Sequence, residues 1–244
     1  MHNLFNTFAH RYDLHTPPSH YCHDHELVLE LANKYGRGAR VLDVGCGTGV
    51  LVWKALAAGF QAAGLDASEA MIQAARTRVP HDAVRTQRMQ ALDEHGQYSL
   101  LVSLSWCVHY CSGEDELRDV LCRMRDALRP GGQILLQVAH AMNLASEWME
   151  DRECGPDGIC GDVSLKFRFR RDHTRPARML ADYAYTCTSR NEAFTETHIL
   201  EVADVFAVRR LASEAGFAEV EIWNSYQRDP FDISGSAFLT AIRP

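Results

Sequence analysis

Val41-Leu42-Asp43-Val44-Gly45-Cys46-Gly47-Thr48-Gly49 decides the fold. With Arg40 in front, residues 40–44 read as a buried strand, and an apolar helical pattern runs on from Gly49 to Ala58. An apolar run interrupted only by Asp43 suits a strand covered on both faces. The glycines allow a tight turn and let the backbone approach a ligand with no Cβ in the way. The helix that follows presents free N–H groups at its start. The spacing is G-x-G-x-G. A dinucleotide fingerprint needs G-x-G-x-x-G, and its last glycine falls here on Val50, which disfavours a nicotinamide dinucleotide.

Outward from this turn, strand and helix signals alternate. Residues 61–65 form a second strand, and Ser68 caps a helix reaching Arg78, with Pro80 beyond it. Strands follow at 83–87 and 98–104. A helix from Glu114 to Leu128 places Leu117, Val120, Leu121, Met124 and Leu128 on one face. Pro130-Gly131-Gly132 reads as a turn, and 133–138 as a strand. Upstream, a helix is expected from Ser19 to Tyr35. Such alternation implies a parallel sheet covered by helices on both faces.

After Ala139 the pattern changes. A helix is expected over 141–151, then a Gly/Pro/Asp loop from Cys154 to Cys160. Segments 165–170, 179–187 and 193–200 alternate with period two, as antiparallel strands with one exposed face do. A helix over 202–215 and strands at 217–223 and 236–242 return to the core. The expected fold is α/β, with one domain over 1–244. Within it, 1–19 is an N-terminal lid, 20–139 and 201–244 are the core, and 140–200 is an insertion covering the substrate.

Val41 to Gly49, Gly64-Leu65-Asp66-Ala67-Ser68 and Leu128-Arg129-Pro130-Gly131-Gly132 resemble the first, second and pre-fifth-strand motifs of class I S-adenosylmethionine-dependent methyltransferases. The resemblance covers roughly residues 20–140 and 202–242. It implies a Rossmann-like seven-stranded sheet, mostly parallel with the last strand antiparallel, and a donor at the carboxyl ends of the strands. S-adenosyl-L-methionine is the expected cofactor and S-adenosyl-L-homocysteine its product. Asp43 would receive the donor's ammonium, and Asp66 the ribose hydroxyls, the role of an acid about 20 residues beyond such a loop. Gly45, Cys46, Gly47, Gly49, Ala67, Met71, Met89, Gln90 and Ser105 complete the expected donor set. One position departs: relatives often carry an aspartate after strand three to hold the adenine amino group. This chain has Gln87-Arg88-Met89-Gln90 there, so the Met89 backbone and the side chains of Gln87 or Gln90 are the candidates.

Methyl transfer is an in-line displacement at a carbon already activated, so alignment and exclusion of water supply much of the rate. A base is needed only where the acceptor must lose a proton. Ser105-Trp106-Cys107-Val108-His109-Tyr110 follows strand four, where donor and acceptor meet in this fold. Trp106, His109 and Tyr110 are therefore candidate acceptor residues, with His109 and His140 as candidate bases. Phe8 to Asp13 resembles the Tyr-Asp lid of small-molecule methyltransferases, which puts Tyr12 near the methyl group. Arg168 and Arg170 share one strand face and suit an anionic acceptor. A solvated face over an apolar layer is the plainer reading of the same residues.

Net charge is −7, with 46% hydrophobic residues. Neither overall charge nor a basic face favours nucleic acid, so a small acceptor is expected. No apolar run is long enough for a membrane helix, and Met1 to Phe8 lacks the basic start of a secretory signal. Eight scattered cysteines fit a reduced cytoplasmic protein. His20, Cys22, His23 and His25 are too closely spaced for a structural zinc site, and no metal is expected. The antiparallel insertion offers edges through which two copies could pair. An N-methyltransferase of the sugar-amine or glycine type leads these readings. An O-methyltransferase with a histidine base and a non-catalytic donor-binding protein are the alternatives.

Overall fold

The computed structural model describes residues 2–141, 146–154, 160–224, 226–233 and 235–244. Its core is a seven-stranded sheet in the order β10-β11-β5-β4-β1-β2-β3. The strands are β1 (Arg40–Val44), β2 (Gln61–Asp66), β3 (Val84–Thr86), β4 (Tyr98–Ser103), β5 (Leu128–Ala139), β10 (Ala218–Trp223) and β11 (Ser236–Ile242). β1 lies parallel to β2 and β4, and β11 runs antiparallel to both β5 and β10. The expected sheet, with its last strand reversed, is what forms.

Helices cover both faces because the central strands β1, β4 and β5 bury apolar side chains on both. α2 (Cys22–Asn33) and α3 (Val50–Ala57) bury Leu27, Val28, Leu31, Leu51 and Ala55 against Val41, Leu100 and Val102. On the other face, α5 (Glu114–Ala127) and α6 (Val205–Glu214) bury Leu117, Leu121, Met124, Val208 and Leu211 against Leu42, Leu101 and Leu136. A short α1 (Tyr12–His15) precedes them, and α4 (Glu69–Ala75) begins with Ser68 accepting from Met71 N. The predicted helices and strands thus stand, with ends shifted by a few residues.

Two details differ. Pro130–Gly132 is not a turn ahead of β5 but a bulge within it. Tyr98 pairs with Leu128, yet Leu100 pairs with Gln133, so the extra residues are extruded, and Gly131 takes φ +75°. The expected helix over 141–151 is overturned at its end, since β6 (Met149–Cys154) is a strand. Its segment holds good helix formers, but pairing with β7 (Cys160–Arg171) sets Met149 opposite Phe167, and tertiary pairing overrides propensity. Residues 142–145 of that segment, and 155–159 of the expected loop, lie outside the described residues.

β6, β7, β8 (Met179–Cys187) and β9 (Glu192–Leu200) form a separate four-stranded antiparallel sheet in that order. Met179, Ala181 and Leu200 pack on Ala139 and Ala141, tying it to the carboxyl edge of the core. The N-terminal segment fills the space beside it, with Leu4, Phe5 and Phe8 against Val163, Leu165 and Tyr185.

Candidate active site

The glycine turn leaves β1 by bonding to the neighbouring strand. Gly45 N and Cys46 N both donate to Leu65 O, at 2.8 and 3.0 Å. Gly45 has φ +85°, and a Cβ there would lie 2.3 Å from Cys107 Sγ. Only glycine fits, so the backbone stays open toward the cavity. Gly49 has a different task. Its φ is +76°, and a Cβ would lie 2.9 Å from that of Ala75, so this glycine lets α3 start against α4. It is not on the cavity wall, where the sequence reading put it.

The cavity measures about 630 Å³, within the range of small-molecule sites. Gly45 to Thr48 form one wall with Asp43, Asp66, Ala67 and Met71. Asp66 Oδ2 accepts from Gly47 N at 3.0 Å and Oδ1 from Ser68 N at 2.8 Å, so the carboxylate holds the loop as well as facing the cavity. Asp43 is 5% exposed. Burial first, and then the charge of Asp66, push its carboxyl up to about 7. A cation placed beside it would favour its charged form.

Met89 and Gln90 line the same cavity, with Gln87. The Gln87 amide is spent: its oxygen accepts from Arg85 Nε at 2.5 Å and its nitrogen donates to Ala91 O at 2.7 Å. That leaves Met89 and Gln90 as the candidate adenine contacts.

The other end is phenolic. Tyr12, Tyr21 and Tyr110 line it together with Ser105, Cys107 and His25. The hydroxyls of Tyr12 and Tyr21 are 3.0 Å apart. Burial holds both phenols above their ordinary range. Ser105 and Trp106 carry φ of +51° and +59°, so β4 ends in strained backbone of the sort found at functional sites.

Several expected acceptor residues lie elsewhere. His109 is fully buried behind the wall. Its Nδ1 donates to Glu201 O and its Nε2 accepts from Ala139 N, both at 2.9 Å, and burial lowers its pKa to about 4. With both nitrogens committed, it is a cross-brace. His140 points to α6: Val205 N donates to its Nδ1 at 3.4 Å, and the rings of Phe206 and Phe231 flank it. The Trp106 indole donates to Ser236 Oγ at 3.0 Å and meets Phe169 edge to face. Arg168 and Arg170 both bind Asp182, at 2.9 and 2.8 Å, and none of the three lines the cavity. Their cross-strand pairing supports the plainer reading, a solvated face.

Phe5, Asn6, Tyr12 and Asp13 of the N-terminal segment also line the cavity. Thr48 Oγ1 donates to Asp13 Oδ1 at 2.7 Å, and Arg78 bonds to Asp13 Oδ2 at 2.6 Å. Arg78 also reaches Thr48 O at 2.9 Å. Ser68 Oγ donates to Phe5 O. Asp13, Arg78, Tyr21 and His198 were not foreseen as site residues. Asp13 sat in the quoted Tyr-Asp element, while nothing in the sequence links it to Arg78.

Residues 41–132 match the family described as a methyltransferase domain. A protein named as a methyltransferase in Geobacillus sp. (strain WCH70) is 25% identical over 250 residues, spanning 97% of this chain and 98% of that one. The dTDP-4-amino-2,3,4,6-tetradeoxy-D-glucose N,N-dimethyltransferase of Saccharopolyspora spinosa is 29% identical over 46% of this chain and 45% of its own. A ubiquinone biosynthesis O-methyltransferase of Bordetella avium (strain 197N) is 29% identical over 46% of this chain and 47% of its own. The chain therefore spans under half the length of these last two. Among solved structures, the CcbJ methyltransferase of Streptomyces caelestis superposes with a TM-score of 0.74 at 21% identity, covering 96% of this chain and 95% of that one. The sugar N-methyltransferase KedS8 of Streptoalloteichus sp. superposes at 0.72 and 21% identity, covering 91% and 87%. At these identities the superpositions establish the fold.

Proposed function

We propose that this chain, an S-adenosylmethionine-dependent methyltransferase, places its methyl group on a nitrogen of a small acceptor bound in the phenolic half of the cavity. The observation that carries the reading is that the donor cradle and the tyrosines line one and the same cavity. The residues present fit the donor. Asp43 offers the buried carboxylate an ammonium requires, Asp66 faces the same wall, and the backbone at Gly45 has no room for a side chain. When bound, the donor supplies a methyl carbon activated by a sulfonium.

The chain's own part is alignment and exclusion of water. The latch from Asp13 to Thr48 and Arg78 holds Tyr12 over the cavity. Neutral phenols and a His25 whose pKa burial lowers to about 4 bring no fixed positive charge, which suits an amine better than an anion. The Saccharopolyspora spinosa relative is named for N,N-dimethylation and points the same way, while the Bordetella avium relative is named for O-methylation. The alternative of an O-methyltransferase using His109 or His140 loses support, since neither ring reaches the cavity.

Release of S-adenosylhomocysteine across a panel of amino sugars, amino acids and phenols, with mass spectrometry of the products, tests this. N-methylated product is expected. Turnover of hydroxyl acceptors with every amine inert would overturn the reading. Among the described residues no helix is long and apolar enough to cross a membrane. Buried free thiols at Cys46 and Cys111 suit the reducing cytoplasm. The edge strands β6 and β9 suit pairing of two copies, and light scattering that gives a monomer would remove that proposal.

A further inference from the structure

Beside the acceptor end lies a chain of three side chains that the donor site does not use. The hydroxyl of Tyr110, a residue of the cavity wall, is 2.6 Å from His198 Nδ1. His198 Nε2 is 2.9 Å from Glu196 Oε1. Leu4 N donates to the same carboxylate oxygen at 2.9 Å, and Asn3 N donates to Oε2 at 2.7 Å. His198 is fully buried, and the Glu196 carboxylate beside Nε2, kept ionised, can only accept, which assigns the hydrogen to Nε2 and leaves Nδ1 as the bare nitrogen. A base oriented by a carboxylate and joined to a hydroxyl that faces substrate is the arrangement of a proton relay.

We infer that Tyr110, His198 and Glu196 form a relay that takes the proton from the acceptor's nitrogen. Tyr110 is its catalytic residue, and His198 and Glu196 are positioning residues behind it. This rests on the cavity holding donor and acceptor together. The acceptor's N–H proton passes to the Tyr110 oxygen as the phenolic proton passes to His198 Nδ1. Tyr110 stays neutral throughout, and His198 becomes an imidazolium between the phenol and the Glu196 carboxylate. The nitrogen keeps the electron pair of its broken N–H bond and forms the new N–C bond with it. The bond from that carbon to sulfur breaks, its electrons staying on sulfur. The imidazolium returns its proton to water.

The surroundings fit the task. Burial raises the Tyr110 phenol well above its ordinary range, so a free phenolate is not formed and the phenol serves as a conduit. Burial lowers His198 to about 4, with Glu196 opposing it. Burial also pushes Glu196 up, but the bonds from His198, Leu4 and Asn3 outweigh it and keep the carboxyl below its usual value. His2 lies over the His198 ring at 3.6 Å between centroids, and Tyr183 and Phe5 complete its surroundings at 4.7 and 5.1 Å. An acceptor ammonium entering this space is desolvated as His198 is. Its acidity therefore rises with the fall in His198 basicity, and the transfer runs between groups shifted in one direction.

Two measurements test the relay on the full chain with S-adenosylhomocysteine bound. A long-range nitrogen–proton NMR spectrum reports the His198 tautomer without any acceptor. The expected result is a neutral ring with the proton on Nε2 down to about pH 5; a ring protonated on Nδ1 overturns the inference. Kinetics use whichever acceptor the panel identifies. Tyr110→Phe keeps the ring packing and His198→Gln keeps a hydrogen-bonding amide, and each is expected to lower kcat by about 10²-fold. Donor Kd should stay within about twofold, and the pH dependence of kcat should lose its base limb. Glu196→Gln is expected to cost about tenfold. Unchanged kcat in Tyr110→Phe overturns the relay. Donor affinity or melting temperature falling in step with kcat in both variants overturns it in favour of a structural role. Loss of wild-type activity on chelation overturns it in favour of a bound cation. If the panel yields an oxygen acceptor, the nitrogen reading fails, while the same variants still judge the relay. If nothing turns over, the tautomer decides alone.

Discussion

Asp43 stands one residue before the end of β1, buried and close enough to Asp66 to feel its charge. Its carboxyl, held at about 7, is protonated below that pH and charged above it. Only the charged form pairs with the donor's ammonium, so binding expels a proton whenever the pH is below 7. Donor affinity is therefore expected to climb as pH rises from 6 to 8, by close to tenfold per unit on the acid side and levelling above 7. Titration calorimetry with S-adenosylmethionine at several pH values checks this. Asp43→Asn keeps the shape and removes the charge. It is expected to weaken binding by about tenfold to a hundredfold at pH 8, as loss of a charged hydrogen bond does, and to flatten the profile. An Asn variant that keeps the wild-type slope assigns the titration to another group.

At the scale of elements, the lid and the glycine loop act as one piece because Asp13 of α1 bonds to both Thr48 and Arg78. The Asp13 and Arg78 side chains are 28% and 27% exposed, so the pair is partly shielded and worth more than a surface ion pair. Asp13→Ala is expected to raise the donor's KM about tenfold and to speed proteolysis within residues 1–19, with the melting temperature lowered by only about 2–4 °C. A large melting shift with unaltered KM would make the contact structural instead. This latch also marks how far the sequence could be read. The strand, glycine loop, helix and Asp66 were legible because the device is local: backbone conformation and spacing alone define it. The acceptor side was not. Each ring nitrogen of His109 is taken by a partner 30 or 92 residues away, Ala139 N and Glu201 O. His198 reaches Tyr110 across 88 residues. A histidine at a strand end looks the same in sequence whether it faces a ligand or braces a wall. Likewise Arg168 and Arg170 fit an anion site or a solvated face equally in spacing, and only β8 bringing Asp182 across from Arg168 separates the two.

For the whole molecule, the buried titratable groups set the response to acid. Burial lowers His15, His25, His109 and His198 to about 4, against an ordinary value near 6.5. The unfolded chain binds their protons first, so the stability each contributes is fully present above about pH 6.5 and is lost as pH falls toward 4. At roughly 1.4 kcal/mol per unit, each is worth up to about 3 kcal/mol. Asp43 works in the opposite sense. Its folded pKa is raised, so it favours the folded state at low pH and costs stability as pH climbs from about 4 to 7. Burial raises Asp24 and Asp66 in the same sense as Asp43, and the four histidines outweigh the three acids. The donor-free protein should therefore lose several kcal/mol between pH 7 and 4.5, a large part of the 5–15 kcal/mol that holds a typical domain. Urea midpoints followed from pH 7.5 to 4.5 should fall throughout; a flat or rising trend rejects the account. Donor binding couples the two terms. An ammonium beside Asp43 returns that carboxyl toward its ordinary range and removes the cost it imposes near neutrality. Stabilisation by S-adenosylhomocysteine, which keeps the ammonium and lacks the sulfonium, should accordingly be larger at pH 7.5 than at pH 5.5, and in Asp43→Asn the difference should vanish.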